Sequence, residues 1–160
     1  MNVNSNDPIF RPDGAALEKK RSIIYLGGII SCDGKCDAEV RRRVSEGKAA
    51  FKMLARLWCH ANLTIHRKLQ IFNACISSKV LYSLDSLWLL KVDRARIDAF
   101  QCFCLRRILR IAPSFVSRVS NRDVLIASHQ VAYSVTLETR QVQLFKKIQL
   151  MPTENICCVN

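Results

Sequence analysis

Between Asp37 and Cys59 the residues Val40, Val44, Gly47, Phe51, Leu54 and Trp58 recur at steps of 4, 3, 4, 3 and 4. Only an α-helix, turning about 100° per residue, brings all six onto one face. A strand would send alternate members to opposite sides of a sheet. This part of the chain must therefore pack one side of a long helix, with Asp37 as its cap and Asp33-Gly34 as the turn before it.

The same periodicity continues downstream. Asn62 to Thr64 caps a second helix with Ile65, Leu69, Phe72 and Ile76 inward, running to about Leu84 before the chain extends from Ser86 to Leu90. A third starts at Asp93, buries Ile97, Phe100, Cys104, Ile108 and Ile111, and stops at Pro113; Ser114 to Val119 is a loop. Ser120 or Asn121 caps a short helix over Val124, Leu125 and Ala127, with Asp123 in its first turn. A last helix from about Ser134 to Leu150 turns Leu137, Val142, Phe145 and Ile148 inward and Arg140, Lys146 and Lys147 outward.

Ahead of these, Ile23 to Leu26, Gly27-Gly28 and Ile29 to Ser31 form a β-rich run split by a glycine turn, which predicts a short strand or hairpin. Such a hairpin is marginal unless a helix covers it. The expected architecture is mainly α, a bundle of about five helices with this N-terminal β element. Its divisions are a disordered leader over 1–20, the strand or hairpin over 21–31, a helical domain over 32–150 and a flexible tail over 151–160. No repeat period of a solenoid shows, and Gly27-Gly28 is a strand-edge turn, not a phosphate cradle.

Charge points to a partner. The formal net charge is +12. The ends of the chain hold Arg11, Lys19 and Lys20 against Asp7, Asp13, Glu18 and Glu154, so residues 21–150 keep 22 basic and 9 acidic residues. A body of that excess favours a polyanion, nucleic acid ahead of membrane. Arg41, Lys48, Lys52 and Arg56 fall on one stripe beside the apolar face of the first helix, where a phosphate backbone could lie; the plain reading is a solvated face. On the third helix Arg106 and Arg110 sit one turn apart on the far side with Arg107 flanking, suited to phosphates, to carboxylates of a partner or to water. Arg118 stands in the loop after that helix. Tyr82 and Trp88 could stack on a base but read better as core.

Eight cysteines show no paired Cys-x-x-Cys units. A Cys32, Cys36, Cys59, His60 metal site can be drawn, but free thiols filling small apolar spaces fit better, so neither a metal nor a cofactor is expected. His60 and His66 read as surface or capping residues. The opening Met1 to Asp7 is polar and no run nears the roughly 18 apolar residues that span a bilayer, so the expectation is an intracellular, reducing compartment and no membrane partner.

One ordered set of residues carries a resemblance: Tyr25-Leu26-Gly27-Gly28-Ile29-Ile30-Ser31 with Asp33-Gly34, then Leu81-Tyr82, Trp88, Asp98-Ala99-Phe100, Cys104 to Leu109, Pro113-Ser114 and Ser117 to Asn121. The set resembles the segment that comes after the palm in reverse transcriptases of non-LTR retrotransposons, the LINE-type or jockey-like elements. The resemblance implies a thumb-like helical module whose hairpin is the edge of the palm. It implies contact with the backbone of RNA or an RNA–DNA hybrid, and a palm and fingers segment as a further partner. That family works with paired palm aspartates holding two metal ions, as in-line phosphoryl transfer requires; no such pair occurs here, so no catalytic residue is assigned and no polymerisation is expected. The alternatives are a helical module binding another protein through Cys- and Phe-rich faces, or the product of a decayed element without a role. The family often has glycine after Tyr82, where Ser83-Leu84 stand, and at Ser128-His129.

Overall fold

The computed structural model describes residues 10, 12–14, 16, 20–59 and 62–150. The readings of a leader and a tail fall mostly outside them, although Phe10 and Ala16 form an isolated antiparallel bridge. Mainly helical architecture with one short hairpin is what the chain adopts. Strands β1 (Ser22–Tyr25) and β2 (Gly28–Ser31) pair antiparallel, Tyr25 opposite Gly28. Between them Leu26 and Gly27 both take positive φ, 46° and 78°, as a two-residue turn matched to the strand twist requires.

Helix α1 (Asp37–Met53) gives way at Leu54 to α2 (Ala55–Cys59), so the single helix expected over 37–59 is broken. The Trp58 indole N–H donates to the Phe51 carbonyl across the break (2.8 Å), and the two rings stack with centroids 4.9 Å apart. Asp37 begins α1 but does not cap it; its carboxylate reaches Arg41 and Arg96. The stripe itself is inward as expected, with Leu54 only partly covered. Gly47 belongs there because a Cβ would stand 2.5 Å from Val80 Cγ2 and 3.0 Å from the Phe100 ring.

Thr64 caps α3 (Ile65–Phe72), accepting from Arg67 N–H, and the helix continues through a π-helical turn (Asn73–Ser77) into α4 (Ser78–Leu81). Ile65 is half exposed, against expectation, because the buried face begins with Lys68 and Leu69; Lys68 Nζ closes on the Trp58 carbonyl near the end of α2 (2.8 Å). The chain turns at Ser83, φ 65°, short of the expected Leu84.

Helix α5 (Lys91–Leu109) is the centre of the bundle. Ile97, Phe100, Cys104, Leu105 and Ile108 are buried, but so are Gln101, Cys102 and Arg106 on other sides, since helices pack around it. It starts earlier than expected: Asp93 lies inside the first turn, bonded to Arg96. It also ends before Pro113. Arg110 is left-handed, φ 58°, and Ile111 N–H bonds back to the Arg106 carbonyl (2.8 Å), the closure that ends many helices.

A one-turn helix, α6 (Ser114–Ser117), stands where a loop was expected. Helix α7 (Asn121–Ala127) opens on a reciprocal Ser120–Asp123 capping box. Polar groups of α5 then fasten the chain beyond α7: Gln101 bonds the Val131 carbonyl and Tyr133 N–H (both 2.8 Å), and Asp98 accepts from Ser134 N–H (2.9 Å). In α8 (Tyr133–Gln149), Leu137 is buried, but Val142, Phe145 and Ile148, expected inward, lie on the surface because the bundle ends before the second half of the helix. Among the described residues no helix is long and apolar enough to cross a membrane.

Candidate functional site

The strongest electrostatic cluster was not visible in the sequence. Glu39, in the first turn of α1, is 1% exposed. Its carboxylate takes Arg42 Nε and Nη2 (3.0 and 2.8 Å), Arg43 Nε (2.6 Å) and the Ile29 N–H of β2 (3.0 Å). Both arginines also donate to the Gly27 carbonyl at the hairpin tip. The Arg43 guanidinium lies 4.6 Å over the Tyr82 ring, whose hydroxyl donates to the Leu26 carbonyl (3.1 Å). Burial alone would raise the Glu39 pKa, but the Arg42, Ile29 and Arg43 bonds outweigh it and hold the carboxyl below its ordinary range. The hairpin is thus clamped to α1 by charge, not covered by apolar packing: Ile23, Ile24, Tyr25, Leu26 and Ile30 remain exposed.

A second feature lies further along α1. There α1 and α2 face α5 across a groove of about 950 Å³. Its floor is apolar, from the buried Phe51, Trp58 and Phe100, and Phe103, Lys48, Lys52, Arg96 and Arg107 line it as well. Lys48 and Lys52 are one turn apart on α1, and Phe103 and Arg107 one turn apart on α5, so each helix sets an i, i+4 pair on the groove. Ion pairs among the described residues engage Lys35, Arg41, Arg42, Arg43, Arg94 and Arg96, not Lys48, Lys52 or Arg107. Beneath the groove the Cys104 thiol is pushed up to about 12 by burial, despite the nearby charges of Arg107 and Lys48, and is inert.

The eight cations singled out by the sequence divide accordingly. Lys48, Lys52 and Arg107 share the groove. Arg110 reaches the carbonyl of Cys59, a groove residue (3.4 Å). Arg41 is bound to Asp37 (2.9 Å), and Arg56 and Arg118 are exposed outside the groove lining. Arg106 is a correction. Expected on the far side, it is 7% exposed and donates to the Ala112 and Val119 carbonyls (3.2 and 2.7 Å) and to Asn121 Oδ1 (3.1 Å). It pins the connection from α5 to α7 and has no free face for a phosphate.

Tyr82 and Trp88 are corrections too: read as core, they are exposed, Trp88 at 81%. Sequence reasoning also missed Phe103, half exposed at 49% and covered on one side by the Arg107 guanidinium 5.1 Å from its centroid. The signal for Phe103 was its i, i+4 spacing to Arg107.

Of the cysteines, Cys36, Cys102 and Cys104 are buried and Cys32, Cys59 and Cys75 exposed; the fillers are the first three. His60, Cys157 and Cys158 lie outside the described residues, and among the described residues no group of three or more metal-ligating side chains converges. His66 is exposed beside Gln70.

The chain matches no protein-family model, no curated protein and no solved structure.

Proposed function

We propose that this chain is the thumb-like, post-palm segment of a non-LTR retrotransposon reverse transcriptase, a module that holds the backbone of RNA or an RNA–DNA hybrid and does not itself extend it. The observation that carries the reading is the shared groove: Lys48, Lys52 and Arg107, which the sequence alone set on two separate helices, meet along one channel and have no internal ion pairs among the described residues. Cations lining a concave surface release counterions when they meet phosphates, which is the main source of backbone affinity. The carboxylates near the hairpin are already committed to arginines or backbone, Glu39 and Asp37 among them, which fits holding a strand better than holding catalytic metals. The exposed apolar faces of the hairpin are where a preceding palm would pack.

The test is the salt dependence of binding to an RNA–DNA hybrid. Backbone contact predicts a steep fall in affinity with rising salt, and replacing both Lys48 and Lys52 by alanine flattens the log–log slope by about two. A slope unaltered by the double change removes these lysines from the interface. The exposed Val142, Phe145 and Ile148 on α8 favour a second reading, a module that binds another protein; such binding would vary little with salt.

A further inference from the structure

Backbone contact explains the cations of the groove but not its floor. A duplex presents phosphates and sugars outward and keeps the faces of its bases stacked inside, so it would use Lys48, Lys52 and Arg107 and leave the half-exposed Phe103 facing water beside the buried Phe51 and Phe100. An unpaired strand brings both chemistries, phosphate for the cations and a flat apolar base for the aromatic surface.

The surface continues beyond this groove. Phe103 and Arg107 also line a second hollow of about 480 Å³ between α5 and the α6 turn, which ends on Phe115, 85% exposed. The Phe103–Arg107 pair is thus a ridge between two depressions, with a second open aromatic ring on its far side.

Resting on the backbone-binding reading above, we infer that the groove takes an unpaired single strand, with a base stacked on Phe103 and the flanking phosphates held by Lys48 and Lys52. Phe115 offers a second stacking surface to the same strand. Aromatic rings set among cations are sequence-tolerant, because every base has a face to stack; the site selects strandedness, not sequence.

The experiment compares oligo-dT with a blunt RNA–DNA hybrid of equal length, on the full chain. The expected result is tighter binding of oligo-dT, with Phe103→Ala weakening it roughly ten- to a hundredfold and leaving the hybrid unaffected. Phe103→Leu, which keeps an apolar side chain of similar bulk without a ring, should lose the preference while unfolding normally, and Phe103→Trp should retain it. Equal or tighter binding of the hybrid overturns the inference and leaves the backbone reading intact. Binding of neither overturns both. Preference for oligo-dT that survives Phe103→Leu removes Phe103 from the site, and displacement by poly-glutamate as efficient as by oligo-dT itself would show a site that senses charge alone.

Discussion

The two ends of α1 carry cations of opposite fate. At the N-terminal end Arg42 and Arg43 are turned onto Glu39, Glu46 and the Gly27 carbonyl; one to three turns later Lys48 and Lys52 line an apolar groove with no carboxylate paired to them among the described residues. The contrast repeats within α5, where Arg106 is spent on three oxygens of its own chain and its neighbour Arg107 lies over Phe103 at the groove. Position in the sequence does not separate the members of either pair. What separates them is whether the chain's own acceptors arrive first. A guanidinium, with five donors in a planar fork, can satisfy several carbonyls at once and so becomes internal glue. A surface lysine gains little from such a role and keeps its charge for a ligand.

The largest expected effect breaks the clamp. Glu39→Ala strips the buried Arg43 of its nearer carboxylate, with only Glu46 left at 3.4 Å, and leaves the Ile29 N–H unmet, at a cost of about 3–5 kcal/mol read from urea unfolding. The Glu39 pKa is lowered on folding, so the stability it supplies is present above the unfolded carboxylate value of 4.5 and is lost as pH falls through the lower folded value. The wild-type chain should therefore lose stability in acid and the variant should lose less. If the clamp is separate from the groove, the salt slope of nucleic-acid binding stays as it was.

Next comes the adjacent pair. Arg106→Ala leaves two carbonyls and an amide oxygen without their donor, and about 3 kcal/mol of stability should go with it. Arg107→Ala should change stability by no more than about 0.5 kcal/mol and flatten the salt slope by about one. Were the two variants to behave alike in both measurements, the division between glue and ligand groups would fail.

That division marks the limit of what the sequence made legible. Helix identity was plain wherever one face was apolar, as along Val40 to Trp58, because periodicity reports a two-sided environment. It misled where a helix has no single face. Helix α5 carries Phe100, Cys102, Phe103, Cys104, Leu105, Ile108 and Leu109 around most of its circumference, so the rule that an arginine opposite Cys104 must be outside did not apply to Arg106. The second half of α8 erred the other way: Val142, Phe145 and Ile148 make a proper stripe, but among the described residues no neighbour covers it. Nothing local marks Glu39 for burial, because the hairpin that folds back onto it lies ten residues upstream. The groove is tertiary in the same sense; its cations were legible singly, and their meeting was not.

Strain at two left-handed residues away from the groove should be independent of it. Ser83 and His129 both take left-handed backbone, φ 65° and 52°, a region where a side chain crowds the following carbonyl and glycine does not. Ser83 stands against the hairpin, its Oγ 2.9 Å from where a Cβ on Gly28 would be, and His129 ends the turn after α7, its N–H bonded to the Ile126 carbonyl (3.0 Å). Neither side chain lines the groove. Ser83→Gly and His129→Gly should each stabilise the fold by about 0.5–1 kcal/mol, the relief of strain exceeding the added freedom of the unfolded chain. The two sites lie on different elements, so their effects should add in a double variant, measured as a higher unfolding midpoint in urea. Binding to oligo-dT and its salt slope should stay unchanged in all three proteins. In Ser83→Gly, a rise in stability accompanied by a change in that slope would mean that the hairpin side and the groove are coupled through α1, and the two populations of cations would then be one system.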